Sequence, residues 1–436
     1  MILLDDLRYD DMSTLQTVQR RVGDAGATFT RFYAPFPLCC PARATLFTGQ
    51  YPHNHGVLSN VQPSGGFREF SDTSTLATWL TPTYRTGLIG KYFNAYTPPY
   101  TPPGWDEWAV PKSMYGYTGP SWYVNQGVGG SYKSYPGYQT DTMGNLAVDF
   151  ISRNAPSDEP FFLYTSLVAP HAGTPKDPDD IAGAPTPYVK PSYRDTYAGL
   201  GNADPSFNEA DVSDKPLKPK PLTAAEVTKL TETNAQRRES ALSARDVVVR
   251  VLDALGSAGE LDNTYVMFMS DNGYILGEHR IRGGKVAPYE VANHVPFMVR
   301  GPGITPGTVI DDVTAQVDFA PTILAMAGAG DRSSIDGVSL LPKMLDPTLS
   351  LGRDAVVIEA TDIKASTDPL PWAYNGVVSG TWKYVERNGG KRELYDLAAD
   401  PYELVNVAGR SNYAAVQSQL AETLTEKKFC VGAACR

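Results

Sequence analysis

The sequence predicts an α/β fold in which helices cover a large, mostly parallel sheet. Short apolar runs rich in branched and aromatic residues repeatedly precede polar loops and helical patterns, an alternation typical of α/β sheets. The 436 residues exceed the size at which a single core keeps growing. From about residue 354 the pattern changes to short strands separated by turns, followed by one helix. We therefore expect a large α/β domain over residues 1–350 and a small C-terminal subdomain over residues 351–436, an antiparallel sheet plus helix packed on the first.

The individual elements are predicted from the same patterns. Strands of the large domain are expected at residues 2–4, 85–89, 161–167, 265–269 and 296–300, and helices at 42–48, 139–153, 223–256 and 318–327. In the C-terminal part we expect strands at 355–358, 374–379, 381–386 and 392–396 and a helix at 413–428. Residues 96–138 and 173–221 are crowded with proline and predict two irregular stretches, and long loops of this kind are commonly binding loops or lids.

Composition excludes several classes of protein. The formal net charge of -10 argues against a protein that coats nucleic acid, because phosphate binding needs a basic surface. No apolar run is long enough to cross a bilayer. An anionic substrate would therefore be held by a local cluster of cations. The first residues lack the basic and apolar regions of a secretion signal, so we expect either a cytoplasmic protein or a leader that is absent from this chain.

Polar side chains follow four of the predicted strands at the point where each strand ends. These residues are Asp5, Asp6, Lys91, His171, Asp271 and Asn272. Ligands of open α/β sheets bind beyond the carboxyl ends of the strands, so we expect the six side chains at one edge. Carboxylate and amide oxygens suit Ca²⁺ or Mg²⁺ better than zinc. The set predicts such a site, although an isolated Asp pair is more often a helix cap or a turn.

Residues 36–49 place a cysteine beside a helix. Pro41 suits the first helical position and Gly49 suits a helix end, which puts Cys39 immediately before the helix. Free N–H groups and the helix dipole favour an anion there, and Arg43 adds a charged donor. From the residues alone, Cys39 is a buried thiol, a metal ligand, half of a disulfide or a nucleophile with a low pKa. A bridge to Cys40 is disfavoured because adjacent cysteines strain a disulfide.

This segment resembles the signature of type I sulfatases. The run from Cys39 to Arg43, followed by Thr48 and Gly49, matches the pattern C-x-P-x-R…T-G. The Cys-Cys-Pro and the later Tyr-Pro-His-Asn-His are most similar to the N-acetylglucosamine-6-sulfatase branch. The resemblance continues through residues 90–94, 169–171, 270–274, 285, 289–290 and 295–304 and covers nearly the whole chain. It implies an alkaline-phosphatase-like large mixed sheet and a sulfuric ester hydrolase.

The resemblance also implies a mechanism. A formylglycine-generating enzyme would oxidise Cys39 to formylglycine, whose hydrate attacks sulfur and forms a covalent sulfate ester before sulfate is released. Arg43 and Lys91 would hold the diol and the sulfate oxygens, and His171 and Lys285 would flank the scissile bond, with His171 as the acid. The implied ligands of the cation, Ca²⁺ with Mg²⁺ as the other candidate, are Asp5, Asp6, Cys39, Asp271 and Asn272.

One position departs from the pattern. Many sulfatases carry a histidine where this chain has Phe93, so the base that releases sulfate stays open, and we expect the next residue, Asn94, at the substrate. His279 is also expected to reach it. His53 and His55 either orient the nucleophile helix or touch the substrate.

The implied substrate is a sulfated sugar such as 6-sulfated N-acetylglucosamine, with aryl sulfates also cleaved. Trp105, Trp108 and Trp122 would stack on sugar faces or pack beneath their loop. Two alternatives remain: a phosphodiesterase or phosphonate monoester hydrolase of the same superfamily, and a non-catalytic carbohydrate-binding relative, which would have lost a motif residue that this chain keeps. Family likeness favours export to the periplasm or cell exterior, and Cys430 and Cys435 either close a small disulfide loop or remain free thiols.

Overall fold

A ten-stranded mixed sheet forms the centre of the molecule. The computed structural model describes residues 1–81, 83–127, 129–365 and 370–436. In chain order the strands are β1 Ile2–Leu4, β2 Ala27–Phe29, β3 Phe32–Tyr33, β4 Arg85–Gly90, β5 Glu107–Pro111, β6 Ser121–Asn125, β7 Gly130–Ser134, β8 Phe161–Ser166, β9 Val266–Ser270, β10 Phe297–Arg300, β11 Thr308–Ile310, β12 Thr314–Ala315, β13 Ala355–Thr361, β14 Trp372–Ser379, β15 Trp382–Arg387 and β16 Arg392–Asp396. The large sheet has the order β11-β2-β10-β9-β1-β8-β4-β5-β6-β7, and β3 pairs with β12 separately.

Helices lie on both faces of this sheet. In chain order they are α1 Gln16–Val18, α2 Cys39–Thr48, α3 Pro52–His55, α4 Leu76–Leu80, α5 Gln139–Asn154, α6 Ala224–Ser257, α7 Glu290–Asn293, α8 Phe319–Ala327, α9 Leu341–Leu345 and α10 Ala414–Lys427. The long helix α6 begins at a capping box in which Thr223 and Glu226 satisfy each other's backbone N–H groups. None of these helices, within the described ranges, is both long and apolar enough to cross a membrane.

The three residues of β1 separate two hydrophobic cores. Leu3 points into a core that includes residues of α2, α4 and α8, whereas Ile2 and Leu4 point into a core with residues of α5 and α6. All three side chains are buried because β1 runs parallel to β8 on one side and to β9 on the other. The carboxyl ends of β1, β8 and β9, and of β4 beside β8, therefore meet at one edge.

The predicted architecture is confirmed, and most elements lie within a few residues of their predicted positions. The mixed character comes from β10, which is antiparallel to both of its neighbours, and from β6 and β7. The prediction of an irregular stretch over residues 96–138 is wrong, because β5, β6 and β7 extend the sheet there. Every residue of β7 is exposed, so it carries no apolar pattern to detect. Within residues 173–221 the only helical or strand element found in the described chain is a short 3₁₀ turn, as expected.

The C-terminal part forms a four-stranded antiparallel sheet, β13 to β16, with helix α10 against it. A disulfide joins Cys430 to Cys435, so the two cysteines are bridged rather than free.

The C-terminal sheet contacts the start of helix α7. Lys383 Nζ donates to the backbone oxygen of Pro288 at 3.0 Å and lies 2.6 Å from a carboxylate oxygen of Glu290. The division at residue 350 remains a prediction.

One buried ion pair lies just before the C-terminal sheet. Arg353 binds both carboxylate oxygens of Asp318 at 2.6 Å, and both side chains are fully buried. We expect Arg353→Met to lower the free energy of unfolding by about 3 kcal/mol or more, because the carboxylate is left buried and unpaired. Urea unfolding followed by circular dichroism measures the change.

The matched control is Arg392→Met, which removes an exposed arginine 3.9 Å from Glu386. Exposed pairs contribute little, so this variant should stay within about 0.5 kcal/mol of the parent. Equal losses in the two variants would contradict the assignment of Arg353 and Asp318 as a buried structural pair.

Candidate active site

The side chains that follow the central strands converge as the strand order requires. Asp5 and Asp6 follow β1, and the backbone N–H of Asp6 donates to Asp271 Oδ1, after β9, at 3.0 Å. Lys91, after β4, donates to Asp5. Gly90 brings β4 close to β8, since a Cβ on it would lie 2.0 Å from the backbone oxygen of Ser166. The structure thus brings to one edge the residues predicted there.

Cys39 lies at the start of helix α2 and faces this edge. Leu38 is extended and the helix begins at Cys39 itself, so Pro41 is the third helical residue rather than the first. This position costs no hydrogen bond, because the first N–H groups of a helix have no partner within it. Gly49 ends the helix with φ +66°, as predicted. The Cys39 sulfur lies 3.4 Å from Asp5 Oδ1 and 3.0 Å from Lys285 Nζ.

Cys39 is a free, fully buried thiol rather than half of a disulfide. Burial and the neighbouring carboxylate of Asp5 raise the pKa of Cys39 to about 11, although Lys285 and Lys91 oppose the change. The thiol is therefore neutral near pH 7 in this arrangement. The alternative of an unmodified nucleophile with a low pKa receives no support from these surroundings.

Arg43 is a buried cation at the base of the site. Its Nε and Nη2 donate to Asp271 Oδ2 at 3.1 and 2.8 Å, and its Nη1 donates to Ser166 Oγ at 2.6 Å and to the backbone oxygen of Lys91 at 2.9 Å. Burial alone would lower the pKa of Arg43, but the carboxylates of Asp271 and Asp5 raise it above its usual value. The guanidinium is consequently fixed in position and in charge.

Four side chains are arranged closely enough to hold a metal ion. One ligand atom from each of Asp5, Asp6, Cys39 and His171 lies within 4.8 Å of the others. Asn272 Oδ1 is buried without a hydrogen-bond partner among the described residues, which leaves an oxygen free for a cation. Asp271, by contrast, already accepts from the Asp6 N–H and from Arg43. The residues fit a hard divalent cation, and His171, which was not predicted as a ligand, lies within the same group as Asp5, Asp6 and Cys39.

Asp6 has a strained backbone conformation that a hydrogen bond from helix α6 stabilises. Its φ of +69° lies in the left-handed region, which Asp tolerates better than most residues. The guanidinium of Arg237, from helix α6, donates to its backbone oxygen. Burial would raise the pKa of the Asp6 carboxyl, but Lys285, His171 and Arg237 lower it below its usual range. Asp6 is therefore an anion at neutral pH.

His171 and Lys285 face Asp6 from opposite parts of the chain. His171 Nδ1 lies 2.7 Å from the backbone oxygen of Ala172 and would donate to it, which leaves Nε2 facing Asp6 Oδ2 at 3.7 Å. Burial lowers the pKa of His171 to about 3, and the nearby lysines add to this effect. Lys285 donates to Asp6 and to the Cys39 sulfur. Lys285 thus contacts the Cys39 sulfur directly, and a ring nitrogen of His171 lies within 4.8 Å of it.

The other histidines considered for the site contact the segments around it, and His55 contacts the nucleophile helix, as one of its two predicted roles requires. His279 pairs with Glu209 Oε2 at 2.6 Å and packs against Tyr289 with ring centroids 4.0 Å apart and planes tilted by 34°. His53 lies 2.9 Å from Glu359 and from the backbone oxygen of Cys430. His55 Nε2 lies 3.1 Å from Thr45 Oγ1 on helix α2. Their described contacts hold the surrounding segments and include none of the six strand-end side chains.

Asn94 lies at the rim, half-buried, and its Oδ1 accepts from Tyr115 at 3.1 Å. Of the two alternatives for the tryptophans, packing is confirmed: Trp105, Trp108 and Trp122 are 8%, 1% and 0% exposed and lie within the cores. Ser166, Tyr115 and Arg237 were not predicted. Ser166 ends β8 and follows the same strand-end rule as Asp5, but no local signal marks the other two.

Comparisons with known proteins agree with this geometry. The family model described as Sulfatase matches residues 1–329, and the model for the C-terminal part of N-sulphoglucosamine sulphohydrolase matches residues 277–429. An arylsulfatase from Volvox carteri is 31% identical over 460 residues, covering 94% of this chain and 70% of its own. The chain belongs to the sulfatase family. The resemblance in the motifs is thereby confirmed, and this sulfatase is a sulfuric ester hydrolase.

Other relatives of this sulfatase include named sugar sulfatases. The N-acetylglucosamine-6-sulfatase of Capra hircus is 29% identical over 98% of this chain and 82% of its own. A solved structure in complex with its substrate D-glucosamine-2-N,6-O-disulfate has a TM-score of 0.78 at 23% identity, covering 98% of this chain and 96% of that one. A phosphonate monoester hydrolase from Silicibacter pomeroyi has a TM-score of 0.67 at 21% identity, covering 97% and 93%. The two structures show the shared fold, which confirms the predicted alkaline-phosphatase-like class.

A divalent cation should stabilise this sulfatase. After chelation and dialysis, adding CaCl₂ or MgCl₂ should raise the thermal midpoint, since a ligand that binds only the native state at about 100 times its Kd contributes about 2.7 kcal/mol. Asp6→Asn should abolish the increase, whereas Asp149→Asn, an exposed change on helix α5, should preserve it. Parent protein with an unchanged midpoint, or an equal increase in both variants, would refute the cation site.

Proposed function

We propose that this chain removes sulfate from the 6-O position of a glucosamine unit, with formylglycine made from Cys39 as nucleophile and Ca²⁺ as cation. The arrangement of Cys39 carries the proposal. Its sulfur begins a buried helix and is flanked by the Asp5 carboxylate and the Lys285 ammonium. A nucleophile in this position faces both the metal-ligand group and the cations that an anionic ester needs.

Two groups would complete the chemistry. After oxidation by a formylglycine-generating enzyme, residue 39 would offer the oxygen of a hydrated aldehyde as the nucleophile. Ca²⁺ held by Asp5, Asp6, Asp271, Asn272 and residue 39 would neutralise sulfate oxygens. An oxygen-rich set of this size favours Ca²⁺, which takes six to eight ligands, over Mg²⁺.

The protein's own side chains would do the remaining work. Arg43, which Asp271 fixes in position, would hold the nucleophilic residue 39. Lys91 and Lys285 would bind the sulfate oxygens from two sides. His171, whose side chain is 21% exposed, would protonate the leaving alcohol from Nε2, a role that typically contributes about 10²–10⁴ in rate. A bound anionic ester favours the protonated imidazole that this step needs. Burial of the surrounding carboxylates and cations excludes water from the bond that breaks.

Support for the sugar comes from the relatives. One is named N-acetylglucosamine-6-sulfatase and another structure holds a 6-O-sulfated glucosamine. Aryl sulfates would also be cleaved, because a good leaving group needs little help from His171. We further infer that residues 1–350 form the catalytic domain with residues 351–436 packed on it as a subdomain, and that the protein acts outside the cytoplasm, where the disulfide persists.

The nucleophile can be tested directly by mass and mutation. In protein co-expressed with a formylglycine-generating enzyme, the peptide carrying Cys39 should lose roughly 18 Da, the difference between thiol and aldehyde. Cys39→Ala should abolish sulfate release, and Cys39→Ser should remove most of it because serine offers a single hydroxyl. Cys40→Ala is the matched control and should keep most activity. Loss of activity in the Cys40 variant alone would place the nucleophile one residue later.

The substrate is tested by comparing esters at equal concentration. We expect release of sulfate from N-acetylglucosamine-6-sulfate and from para-nitrophenyl sulfate, measured as free sulfate by ion chromatography. Turnover of phenylphosphonate esters or phosphodiesters in the same preparation should be much slower. Faster turnover of the phosphorus esters would favour the phosphonate hydrolase alternative, and cleavage of the aryl ester alone would refute the glucosamine assignment.

A further inference from the structure

Tyr115 contacts two side chains of the active site from a distant loop. It lies between β5 and β6, in the stretch that was expected to be a binding loop. Its ring stacks on the His171 imidazole with centroids 4.4 Å apart and planes 23° apart. Lys91 Nζ lies 4.8 Å from the centre of the same ring. One aromatic side chain therefore contacts both the proposed acid and a proposed sulfate-binding cation.

Backbone hydrogen bonds hold this loop against the segment that follows His171. The Thr174 N–H donates to the backbone oxygen of Tyr115 at 2.9 Å, and the Tyr117 N–H donates to the backbone oxygen of Thr174 at 2.7 Å. The Tyr117 hydroxyl donates to the backbone oxygen of His171 at 2.7 Å. The position of Tyr115 relative to His171 is thus set by the backbone as well as by the rings.

The imidazole has few other restraints. Nδ1 pairs with the backbone oxygen of its neighbour Ala172 at 2.7 Å. Nε2 lies 3.7 Å from Asp6 Oδ2, which is too long for a hydrogen bond. His171 is also 21% exposed, so the core does not enclose it. The stacked ring of Tyr115 therefore restrains the plane of the imidazole together with the Nδ1 contact.

The tyrosine is itself tied to the nucleophile helix. Its hydroxyl donates to Asn94 Oδ1 at 3.1 Å, and the Asn94 N–H donates to the sulfur of Cys40 at 3.2 Å. Cys40 is the residue after the proposed nucleophile and is buried. A single chain of contacts thus connects the start of helix α2 with the plane of His171.

We propose that Tyr115 is a positioning residue that holds the His171 imidazole so that Nε2 faces the oxygen of the leaving alcohol. The inference rests on the proposed function. As the sulfur–oxygen bond breaks, its electron pair stays on the alcohol oxygen, and the proton moves from Nε2 to that oxygen and leaves a neutral imidazole. Stacked aromatic pairs supply about 0.5–1.5 kcal/mol beyond their buried area, enough to favour one ring orientation severalfold.

The dependence on leaving group tests this role. A sugar alcohol needs protonation as it leaves, whereas para-nitrophenolate needs little. Tyr115→Ala should therefore lower kcat for N-acetylglucosamine-6-sulfate by about five- to tenfold, the factor to which the upper part of this stacking energy corresponds, and lower it much less for para-nitrophenyl sulfate. KM should change little for either ester. Tyr115→Phe keeps the ring and loses only the bond to Asn94, so it should stay within about threefold of the parent on both esters.

His171→Ala provides the reference. It should show the same selective loss on the sugar ester, and adding Tyr115→Ala to it should change kcat little further, because the two residues act through one proton transfer. Near-parent thermal midpoints verify that the variants are folded. An equal loss on both esters, an additive double variant, or a Tyr115→Phe variant as impaired as Tyr115→Ala would each overturn the inference while leaving the sulfatase intact. Parent protein that cleaves aryl sulfate but not the sugar ester would overturn the proposed substrate and this inference together.

Discussion

Buried charge at the end of a three-residue strand is the constraint on which the rest of the structure depends. Three carboxylates meet three cations at the edge of the central sheet: Asp5, Asp6, Asp271, Arg43, Lys91 and Lys285. Removing such groups from water costs several kcal/mol per ion, and only close pairing offsets that cost. The pairing requires that β1, β4, β8 and β9 end together and that helix α2 begins above them. A divalent cation would leave this balanced set with a surplus of positive charge, which suits an anionic ester.

The small C-terminal sheet contacts the segment that follows Lys285 of the site. Lys383 binds the segment of Pro288 and Glu290, a few residues after Lys285, and the backbone N–H of Glu290 donates to Glu403 Oε2 at 2.7 Å. The family model for the C-terminal part begins at residue 277 and so includes Lys285. The C-terminal sheet thereby holds the chain a few residues after the lysine that contacts Asp6.

The site residues were easiest to predict where a charged side chain directly follows a buried parallel strand. Asp5, Lys91 and Asp271 were predictable because parallel strands bury their residues and place the next side chain at a common edge. Tyr115 was not predictable, since its contact with His171 depends on how a distant hairpin folds back. The tryptophans show what composition cannot predict. An aromatic-rich segment stands out in the sequence, but its composition does not tell which of its side chains are buried and which are exposed. Strand β7 was missed because an exposed edge strand needs no apolar residues.

The last residues of the chain complete the surroundings of helix α2. The backbone oxygen of Cys430 accepts from Asn54 at 2.8 Å, and Gly432 donates to Asp336 at 2.6 Å, the carboxylate that also binds the Tyr51 N–H. The contact between Asn54 and Cys430 joins residues that are 376 positions apart. Cys39, which is wholly enclosed in the folded protein, would thus be open to a modifying enzyme only before these contacts form.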